Sequence, residues 1–334
     1  MTNVAVLGAG AFGTSLAKVL ADQGNPTKLW ARRADLAEVI NRAHRNERYL
    51  PDSVLPDTLT ATSTFADTLA DAELVLFVVP SHATRAVAEE AKAHIPPGAI
   101  ICSATKGIEN GTLMLMSEVM VDVLGQDAES RLTYLSGPSF AKEIAAGVPT
   151  AVTVAGTNSK AAERVQREFA TANLRMYYSH DVPGVEVGGA LKNVIAIAAG
   201  AIDGLGFGLN TRAALMTRGL AEIGRVAAAK GAAPLTLMGL AGMGDLVLTC
   251  TGSLSRNRTV GFELGKGRKL SDILESLGQV AEGVKTTKSA HELGKKLGVD
   301  TPITDEVYRV LYEDKPAKQA LVDLMTRPLK HEME

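Results

Sequence analysis

The stretch Val4–Ala17 constrains the fold most, because it has the pattern of a buried strand, a glycine turn and a helix start. Gly8 permits a tight turn, Gly10 lets the backbone approach a pyrophosphate, and Gly13 lets helix and strand pack closely. The helix N-terminus then presents free N–H groups and a positive dipole end to an anion. Such glycine patterns also arise by chance in ordinary loops, but here the strand before and the helix after are both present. We therefore predict a dinucleotide-binding fold of the Rossmann type.

The segment after the second strand, Thr27–Trp30, indicates which dinucleotide is bound. NAD-binding folds place an acidic residue about 20 residues after the glycines, where it takes the ribose hydroxyls. This chain has Arg32 and Arg33 there, and guanidinium groups can neutralise a 2′-phosphate. Asp35 lies close enough to allow NAD(H), and two solvated arginines at a helix start are the alternative interpretation. We predict NADP(H) as the preferred cofactor, with NAD(H) still allowed.

Length and composition bound the class of protein. At 334 residues the chain exceeds the about 250 to 300 residues that a single core usually supports, so two domains are expected. The net charge of −2 gives no sign of a nucleic-acid surface. Cys102 and Cys250 lie far apart and outside any CxxC pattern, so we expect neither a disulfide framework nor a metal site.

The distribution of apolar residues predicts where the protein resides. The longest apolar run, Val194–Ile202, is far shorter than the roughly 18 residues that a membrane-spanning helix needs. The chain starts directly with a strand pattern and shows no secretory signal. We therefore expect a cytoplasmic protein without a membrane span.

Further apolar runs predict the rest of a mostly parallel sheet. These runs are Leu74–Val79, Ala99–Ser103, Leu132–Ser136, Thr150–Val154 and Leu174–Tyr178. Because doubly wound folds bind ligands at the carboxyl ends of their strands, Lys106 is expected to point into the crevice, although a surface lysine is the alternative. Ser139 is expected to cap the helix that follows it.

The pattern changes near Asp181, after which long helical periodicities replace strands. We predict a Rossmann-type domain at residues 1–183 and an all-helical domain at residues 184–334. The first helix of the second domain is apolar on nearly every side, which is typical of a buried central helix. The fold class is therefore α/β, with a helical second domain.

Lys192 stands in the middle of that apolar helix and is the leading catalytic candidate. A buried lysine costs several kcal/mol unless it is paired or neutral. Desolvation lowers its pKa, which lets a lysine act as a general acid or base near neutral pH. The alternatives are a structural ion pair with Glu186 or a side chain that extends to solvent.

Two turns of the helical part carry further polar groups. Gly239–Asp245 places the Asp245 carboxylate after flexible backbone, and Ser253–Arg258 places two arginines among small polar donors. Guanidinium forks match a phosphate, and hydroxyl and amide groups add neutral donors. The second turn is therefore predicted to bind a phosphate, and a helix N-cap with solvated arginines is the alternative.

Taken in order, these motifs resemble those of the bacterial NAD(P)-dependent glycerol-3-phosphate dehydrogenases along essentially the whole chain. The motifs that carry the resemblance are Gly8–Gly13, Ala104–Gly107, Ser136–Ala141, Gly189–Asn193, Gly242–Leu246 and Ser255–Arg258. Several motifs in one order are far more specific than any one of them. The resemblance implies a Rossmann-type domain, a helical domain, an active site in the cleft between them, and no metal.

The resemblance also implies individual contacts. The implied cofactor contacts are Ala11, Phe12, Arg32, Arg33, Tyr49, Lys106, Ala141, Arg256, Val280 and Glu282. The implied substrate contacts are Lys106, Gly137, Ser139, Lys192, Asp245, Ser255, Arg256 and Asn257. Many relatives have Ser-Trp where this chain has Ala11 and Phe12, so an aromatic ring is kept and a hydroxyl is lost.

The implied reaction is hydride transfer between NAD(P)H and the C2 carbonyl of dihydroxyacetone phosphate, which gives sn-glycerol 3-phosphate for phospholipid synthesis. Lys192 would exchange the proton, while Lys106 and Asp245 orient the hydroxyls and tune that lysine. The apolar content of the helical part motivates a homodimer.

Two other functions stay open at this point. A 3-hydroxyacid or ketopantoate-type reductase handles carboxylates, and hydroxyacid dehydrogenases place an asparagine one turn after the catalytic lysine, where this chain has Ala196. A non-enzymatic NADPH sensor would not need a buried lysine in the cofactor cleft.

Overall fold

A sheet of eight strands forms the amino-terminal part, and helices form the rest. The computed structural model describes residues 1–278, 280–329 and 331–332. The strands are β1 (Val4–Leu7), β2 (Thr27–Trp30), β3 (Leu59–Thr62), β4 (Leu74–Phe77), β5 (Ile100–Ser103), β6 (Leu132–Ser136), β7 (Thr150–Ala155) and β8 (Leu174–Ser179). The α-helices are α1 (Ala11–Asp22), α2 (Ala34–Ala43), α3 (Phe65–Leu69), α4 (Thr84–Ala91), α5 (Met116–Leu124), α6 (Ala141–Ala145), α7 (Ser159–Phe169), α8 (Val182–Gly204), α9 (Leu209–Ala229), α10 (Asp245–Thr251), α11 (Arg256–Gly265), α12 (Leu270–Leu277), α13 (Glu282–Leu297), α14 (Pro302–Tyr312) and α15 (Ala317–Met325).

The strand order is β3-β2-β1-β4-β5-β6-β7-β8. Neighbouring strands run parallel, except that β6 and β7 are antiparallel. The chain leaves β1 towards β2 on one side and returns to β4 on the other, so the carboxyl ends of β1 and β4 flank the crevice where doubly wound folds bind ligands. All the strands predicted from apolar runs are present. The sequence pattern does not predict β3, because Leu-Thr-Ala-Thr forms no apolar run.

The buried strands carry apolar side chains on both faces because helices cover both faces of the sheet. In β1, Val4 and Val6 pack with α1, α2 and α7. Ala5 and Leu7 point the other way and pack with α3, α4 and α5. This two-sided burial explains why the strands appear as continuous apolar runs rather than alternating patterns.

Helix α8 is the centre of the helical part and packs against α9, α10, α11 and α13. By length and composition α8 is the one helix in the described residues that could cross a membrane, but 89% of its most apolar window is buried inside the protein. Glycines bring α11 close to it, since a Cβ on Gly261 would lie 1.8 Å from the Ile197 carbonyl oxygen. The prediction of a buried central helix is confirmed.

The change from sheet to helices occurs between β8, which ends at Ser179, and α8, which begins at Val182. The Asp181 side chain caps α8 by accepting a hydrogen bond from Gly184 N at 2.9 Å. The α/β fold class with a helical second part is confirmed. The boundary at residue 183 stays a prediction, and it falls within the first turn of α8.

Candidate active site

The glycine turn after β1 has the geometry that a pyrophosphate requires. Gly8 has a φ of +126°, and a Cβ there would lie 2.4 Å from the Val78 carbonyl oxygen. A Cβ on Gly13 would lie 1.9 Å from the Gly8 carbonyl oxygen, so neither position tolerates a side chain. A Cβ on Gly10 would meet no heavy atom of the described residues within 4 Å, which leaves this backbone open to a ligand. The first turn of α1 has no acidic residue to repel a phosphate. These residues therefore fit the pyrophosphate of a dinucleotide.

Arg32 and Arg33 follow β2 and are both exposed. Arg33 Nε donates to Asp35 Oδ1 at 2.9 Å, and this hydrogen bond lowers the pKa of the Asp35 carboxyl. Arg32 forms no hydrogen bond or ion pair with another side chain among the described residues. Asp35 is thus a charged partner of Arg33, which leaves Arg32 as the arginine whose charge is not already compensated.

A buried asparagine that the sequence analysis did not single out connects this region to the glycine turn. Asn46 is fully buried, and its Nδ2 donates to the Ala9 carbonyl oxygen at 2.9 Å and to Thr14 Oγ1 at 2.8 Å. Its Oδ1 accepts a hydrogen bond from Tyr49 N at 3.2 Å. Asn46 therefore fixes the glycine turn and the backbone of half-buried Tyr49 at the same time. An asparagine in an irregular segment carries no sequence signal for such a role.

The centre of the candidate site is a single buried carboxylate shared by two lysines. Asp245 is 1% exposed. Lys106 Nζ donates to Asp245 Oδ2 at 2.6 Å, and Lys192 Nζ donates to Asp245 Oδ1 at 2.6 Å. Lys106 also donates to the Gly137 carbonyl oxygen at 3.1 Å, and Lys192 also donates to Thr249 Oγ1 at 2.8 Å. These contacts bring together residues from loops after β5 and β6 and from α8 and α10.

Two cations around one anion set the protonation of this cluster. Burial lowers the pKa of Lys192 to about 8, a shift that the Asp245 carboxylate opposes and the Lys106 ammonium increases. Burial acts to raise the pKa of Asp245, but Lys106 and Lys192 hold it below its usual value. Asp245 therefore stays ionised, and Lys192 can exchange a proton near neutral pH.

The alternative of an ion pair between Lys192 and Glu186 is wrong. Glu186 instead accepts hydrogen bonds from Ser117, at 2.9 Å from its backbone N and also from its hydroxyl. Lys192 is 7% exposed, so its side chain does not extend to solvent either.

The loop after β6 forms the next wall of the cleft. Gly137 has a φ of +134°, and its carbonyl oxygen accepts a hydrogen bond from Ser139 Oγ at 2.8 Å. The expectation that Ser139 caps the following helix is therefore wrong, since Phe140 is the N-cap of α6 and no side chain caps it. A Cβ on Gly252 would lie 2.5 Å from the Phe140 ring, which places this loop beside the turn before α11.

The two arginines predicted to bind a phosphate, Arg256 and Arg258, lie in the first turn of α11 and have different surroundings. Ser255 caps α11 by accepting a hydrogen bond from Arg258 N at 3.2 Å. The Arg258 guanidinium is directed away from this turn and towards Asp203, where Nη2 donates to Asp203 Oδ2 at 2.7 Å. Arg256 is exposed at the start of α11. The amide of buried Asn257 bridges helices, donating to Asn193 Oδ1 at 2.8 Å and accepting from Gly283 N at 2.9 Å.

The start of α13 contacts the sheet domain through its first residue. Glu282 Oε2 accepts a hydrogen bond from Ser81 Oγ, in the loop after β4, at 2.7 Å. Burial raises the pKa of Glu282, while Ser81 and the nearby charge of Arg256 oppose that shift. Val280 is 41% exposed just before this helix.

The other implied cofactor contacts lie at the amino ends of two packed helices. Ala11 and Phe12 are half-buried in the first turn of α1, and half-buried Ala141 is the first residue of α6, which packs against α1. Together with the glycine turn, these candidate contacts follow the carboxyl ends of β1 and β6.

The fold and this site define a two-domain oxidoreductase of the Rossmann type, with a lysine pair where the two parts meet. Family models described as the N-terminus and the C-terminus of NAD-dependent glycerol-3-phosphate dehydrogenase match residues 3–162 and 181–322. The chain therefore belongs to the NAD-dependent glycerol-3-phosphate dehydrogenase family, which uses a nicotinamide cofactor.

Individual relatives agree with this assignment. The chain is 52% identical to glycerol-3-phosphate dehydrogenase (NAD(P)+) of Syntrophotalea carbinolica, over 99% of this chain and 100% of the relative. It is 56% identical to the enzyme of that name from Anaeromyxobacter sp. strain K, over 98% of this chain and 99% of the relative. The crystal structure of glycerol-3-phosphate dehydrogenase from Coxiella burnetii is similar, with a TM-score of 0.93 and 40% identity, over 98% of this chain and 99% of that one.

The position of Asn46 generates a prediction. Asn46→Ala should weaken NADPH and NADH alike, by about tenfold each, because it leaves the Ala9 carbonyl unpaired and frees the glycine turn that both cofactors share. Dissociation constants from nucleotide fluorescence titration measure this. Asn41→Ala is the matched control, since the Asn41 amide pairs with Ala61 O at 2.8 Å and Ala61 N at 2.7 Å in β3. Equal cofactor affinities in the two variants would contradict the role of Asn46.

Proposed function

We propose that this chain catalyses hydride transfer between NAD(P)H and dihydroxyacetone phosphate, giving sn-glycerol 3-phosphate, and that Lys192 is its general acid and base. The observation that carries the proposal is the Asp245 carboxylate held between Lys106 and Lys192. The direct test is NADPH oxidation that depends on dihydroxyacetone phosphate and yields glycerol 3-phosphate. Turnover with a 3-oxoacid or ketopantoate, and none with dihydroxyacetone phosphate, would overturn it.

The remaining hydrogen-bond capacity of the two lysines indicates how substrate oxygens would be held. An ammonium group has three N–H donors. Lys192 uses two of them on Asp245 and Thr249, and Lys106 uses two on Asp245 and Gly137. Each lysine therefore keeps one N–H for a substrate oxygen, and the fixed partners determine where that N–H points.

The nicotinamide ring supplies or accepts the hydride when the cofactor is bound. In the direction of reduction, protonated Lys192 gives its proton to the C2 oxygen as negative charge develops there. In the direction of oxidation, neutral Lys192 takes the proton from the C2 hydroxyl. Asp245 keeps Lys192 in place in both charge states, and Lys106 contributes its remaining N–H to a neighbouring hydroxyl.

We assign the substrate phosphate to the turn before α11. Ser255 Oγ accepts the hydrogen bond from Arg258 N, so its O–H is still able to donate. Asn257 retains one amide N–H after its bond to Asn193, and Arg256 supplies positive charge at the same helix start. Gly137 and Ser139 line the opposite side, where Phe140 meets Gly252.

The arrangement after β2 supports a preference for NADP(H). Arg33 is already paired with Asp35, so we assign the main contact with the 2′-phosphate to Arg32. We further propose that Tyr49, Ala141, Val280 and Glu282 complete the cofactor cleft.

The remaining proposals concern the cell rather than the site. We propose that the product supplies phospholipid synthesis in the cytoplasm and that the enzyme is a homodimer. Exposed apolar side chains on the helical part, such as Leu235 (82% exposed) and Met238 (65% exposed), favour self-association. Sedimentation that shows only monomer at micromolar concentration would remove the dimer.

The role of Lys192 predicts a selective loss of chemistry. Lys192→Ala should slow the chemical step by about 10² to 10⁴ and leave NADPH binding nearly unchanged, as measured by single-turnover kinetics and fluorescence titration. Lys315→Ala is a control for the loss of an ion-paired lysine, since Lys315 is 16% exposed and pairs with Glu306 and Asp323. A loss of NADPH affinity with the chemical step preserved would contradict the assignment.

The cofactor assignment predicts unequal arginines. Replacing both Arg32 and Arg33 by alanine should weaken NADPH by about tenfold to more than a hundredfold and NADH far less, because only NADPH carries the 2′-phosphate. Of the single variants, Arg32→Ala should account for most of the loss. Arg175→Ala, on the edge strand β8, serves as the control. Equal losses of both cofactors would show that the arginines do not bind the phosphate.

The phosphate assignment is tested at Arg256. Arg256→Leu should lower kcat/KM for dihydroxyacetone phosphate by roughly 30-fold or more, because a dianion loses its charged partner in a closed cleft. Activity on phosphate-free dihydroxyacetone should change much less, with both measured at saturating NADPH. Arg268→Leu, near the other end of α11, is the control. An equal proportional loss on both substrates would place the phosphate elsewhere.

A further inference from the structure

A small, partly open space lies beside Lys106, where the carboxyl ends of β5 and β6 meet α8. Its volume is about 10 Å³, and six of the nine residues that line it have polar side chains. The lining residues that matter are Ser103, Lys106, Tyr134, Ser136, Glu186 and Gly189. A volume of this size holds about one water molecule, provided that polar partners surround it.

Ser136 supplies the first such partner. It is 3% exposed, and its Oγ has no hydrogen-bond partner among the described residues. A Cβ on Gly189 would lie 2.6 Å from this oxygen, so the glycine of α8 is what keeps the space around the hydroxyl open. Because buried hydroxyl groups are nearly always hydrogen-bonded, Ser136 indicates a bound polar group in the cavity.

Glu186, which also lines the cavity, supplies the second partner. It lies on α8 with Lys192 and is 8% exposed. Its two carboxyl oxygens each accept a hydrogen bond from Ser117, at the start of α5. Each carboxyl oxygen has a further lone pair, so capacity remains for a ligand in the cavity.

We propose that one ordered water molecule occupies this cavity, bonded to Ser136 Oγ and the Glu186 carboxyl group, and that through it Glu186 acts as a positioning residue for Lys106. Ser136 directly precedes Gly137, whose carbonyl oxygen accepts the hydrogen bond from Lys106 Nζ at 3.1 Å. A shift of Ser136 therefore moves one of the two groups that orient Lys106. The inference rests on the assignment of Lys106 to the active site under the proposed function.

The charge state of the cavity agrees with this arrangement. Burial raises the pKa of Glu186 to about 8, while the hydrogen bonds from Ser117 oppose the shift and the charge of Glu118 adds to it. Burial likewise raises the pKa of Tyr134, which stays neutral. A protonated Glu186 can donate a hydrogen bond to the water. The Ser136 hydroxyl can either accept a hydrogen bond from the water or donate one to the water.

A double-mutant cycle tests the link. Ser136→Ala removes one partner of the water, and Glu186→Gln places an N–H donor where a carboxyl oxygen accepts from Ser117, so the side chain must move. Each variant should lower kcat about fivefold and leave KM for NADPH within about twofold, because only the orientation of Lys106 changes. Since both act through the same water, the double variant should be no slower than the slower single variant. Glu222→Gln is the matched control, because buried Glu222 likewise accepts backbone hydrogen bonds at a helix start, from Ile303 N at 2.8 Å and Thr304 N at 2.9 Å. It should leave kcat unchanged, both alone and when it is combined with Ser136→Ala.

Crystal structures provide a readout that does not depend on activity or on the stability of the Glu186 variant. At high resolution the wild type should show a water within hydrogen-bond distance of Ser136 Oγ, and Ser136→Ala should lose or displace it. A dry cavity in the wild type, or effects of Ser136→Ala and Glu186→Gln that simply multiply, would overturn the inference. The proposed function survives the failure of this inference if the wild type turns over dihydroxyacetone phosphate and variants of Lys106 and Lys192 lose that activity.

Discussion

The buried carboxylate of Asp245 is the interaction on which the candidate site depends. A carboxylate that is 1% exposed is stable only with charged partners, and Lys106 and Lys192 provide them from two different parts of the fold. Two protonated lysines around one carboxylate leave a net positive charge, which suits a substrate that is an anion. It also leaves Lys192 as the group that most easily loses a proton, because burial and Lys106 both disfavour its charged form.

The rest of the structure brings these three residues together at the carboxyl edge of the sheet. The parallel strands deliver Lys106 and Gly137 at their carboxyl ends, while α8 and α10 deliver Lys192 and Asp245 from the helical part. The bond between Ser81 and Glu282 joins the two parts again on the side of the glycine turn. Hydride transfer needs the cofactor and the acid–base group in one fixed geometry. The contacts between Lys106 and Asp245 and between Ser81 and Glu282 hold the two parts of the fold together at this edge.

Features with a local cause could be predicted from the sequence. Gly8 and Gly13 stand where backbone crowding forbids a side chain, and Lys192 interrupts an otherwise apolar helix, so each is visible in its own segment. Contacts between distant segments could not be predicted from residue types, because Lys106 and Asp245 are 139 positions apart. The resemblance to a family supplied those assignments. It did not indicate Asn46, whose two backbone contacts exist only in the folded chain, nor that Asp203 binds the Arg258 guanidinium away from the turn before α11.

If Asp245 controls the proton affinity of Lys192, the pH dependence of glycerol 3-phosphate oxidation will reveal it. In the wild type, kcat/KM should rise with pH through about 8, because the free enzyme needs neutral Lys192. Asp245→Asn removes the negative charge that favours protonated Lys192. The maximal rate should fall, and the rise of kcat/KM should move to lower pH. A rise that stays in place, or moves to higher pH, would contradict the account.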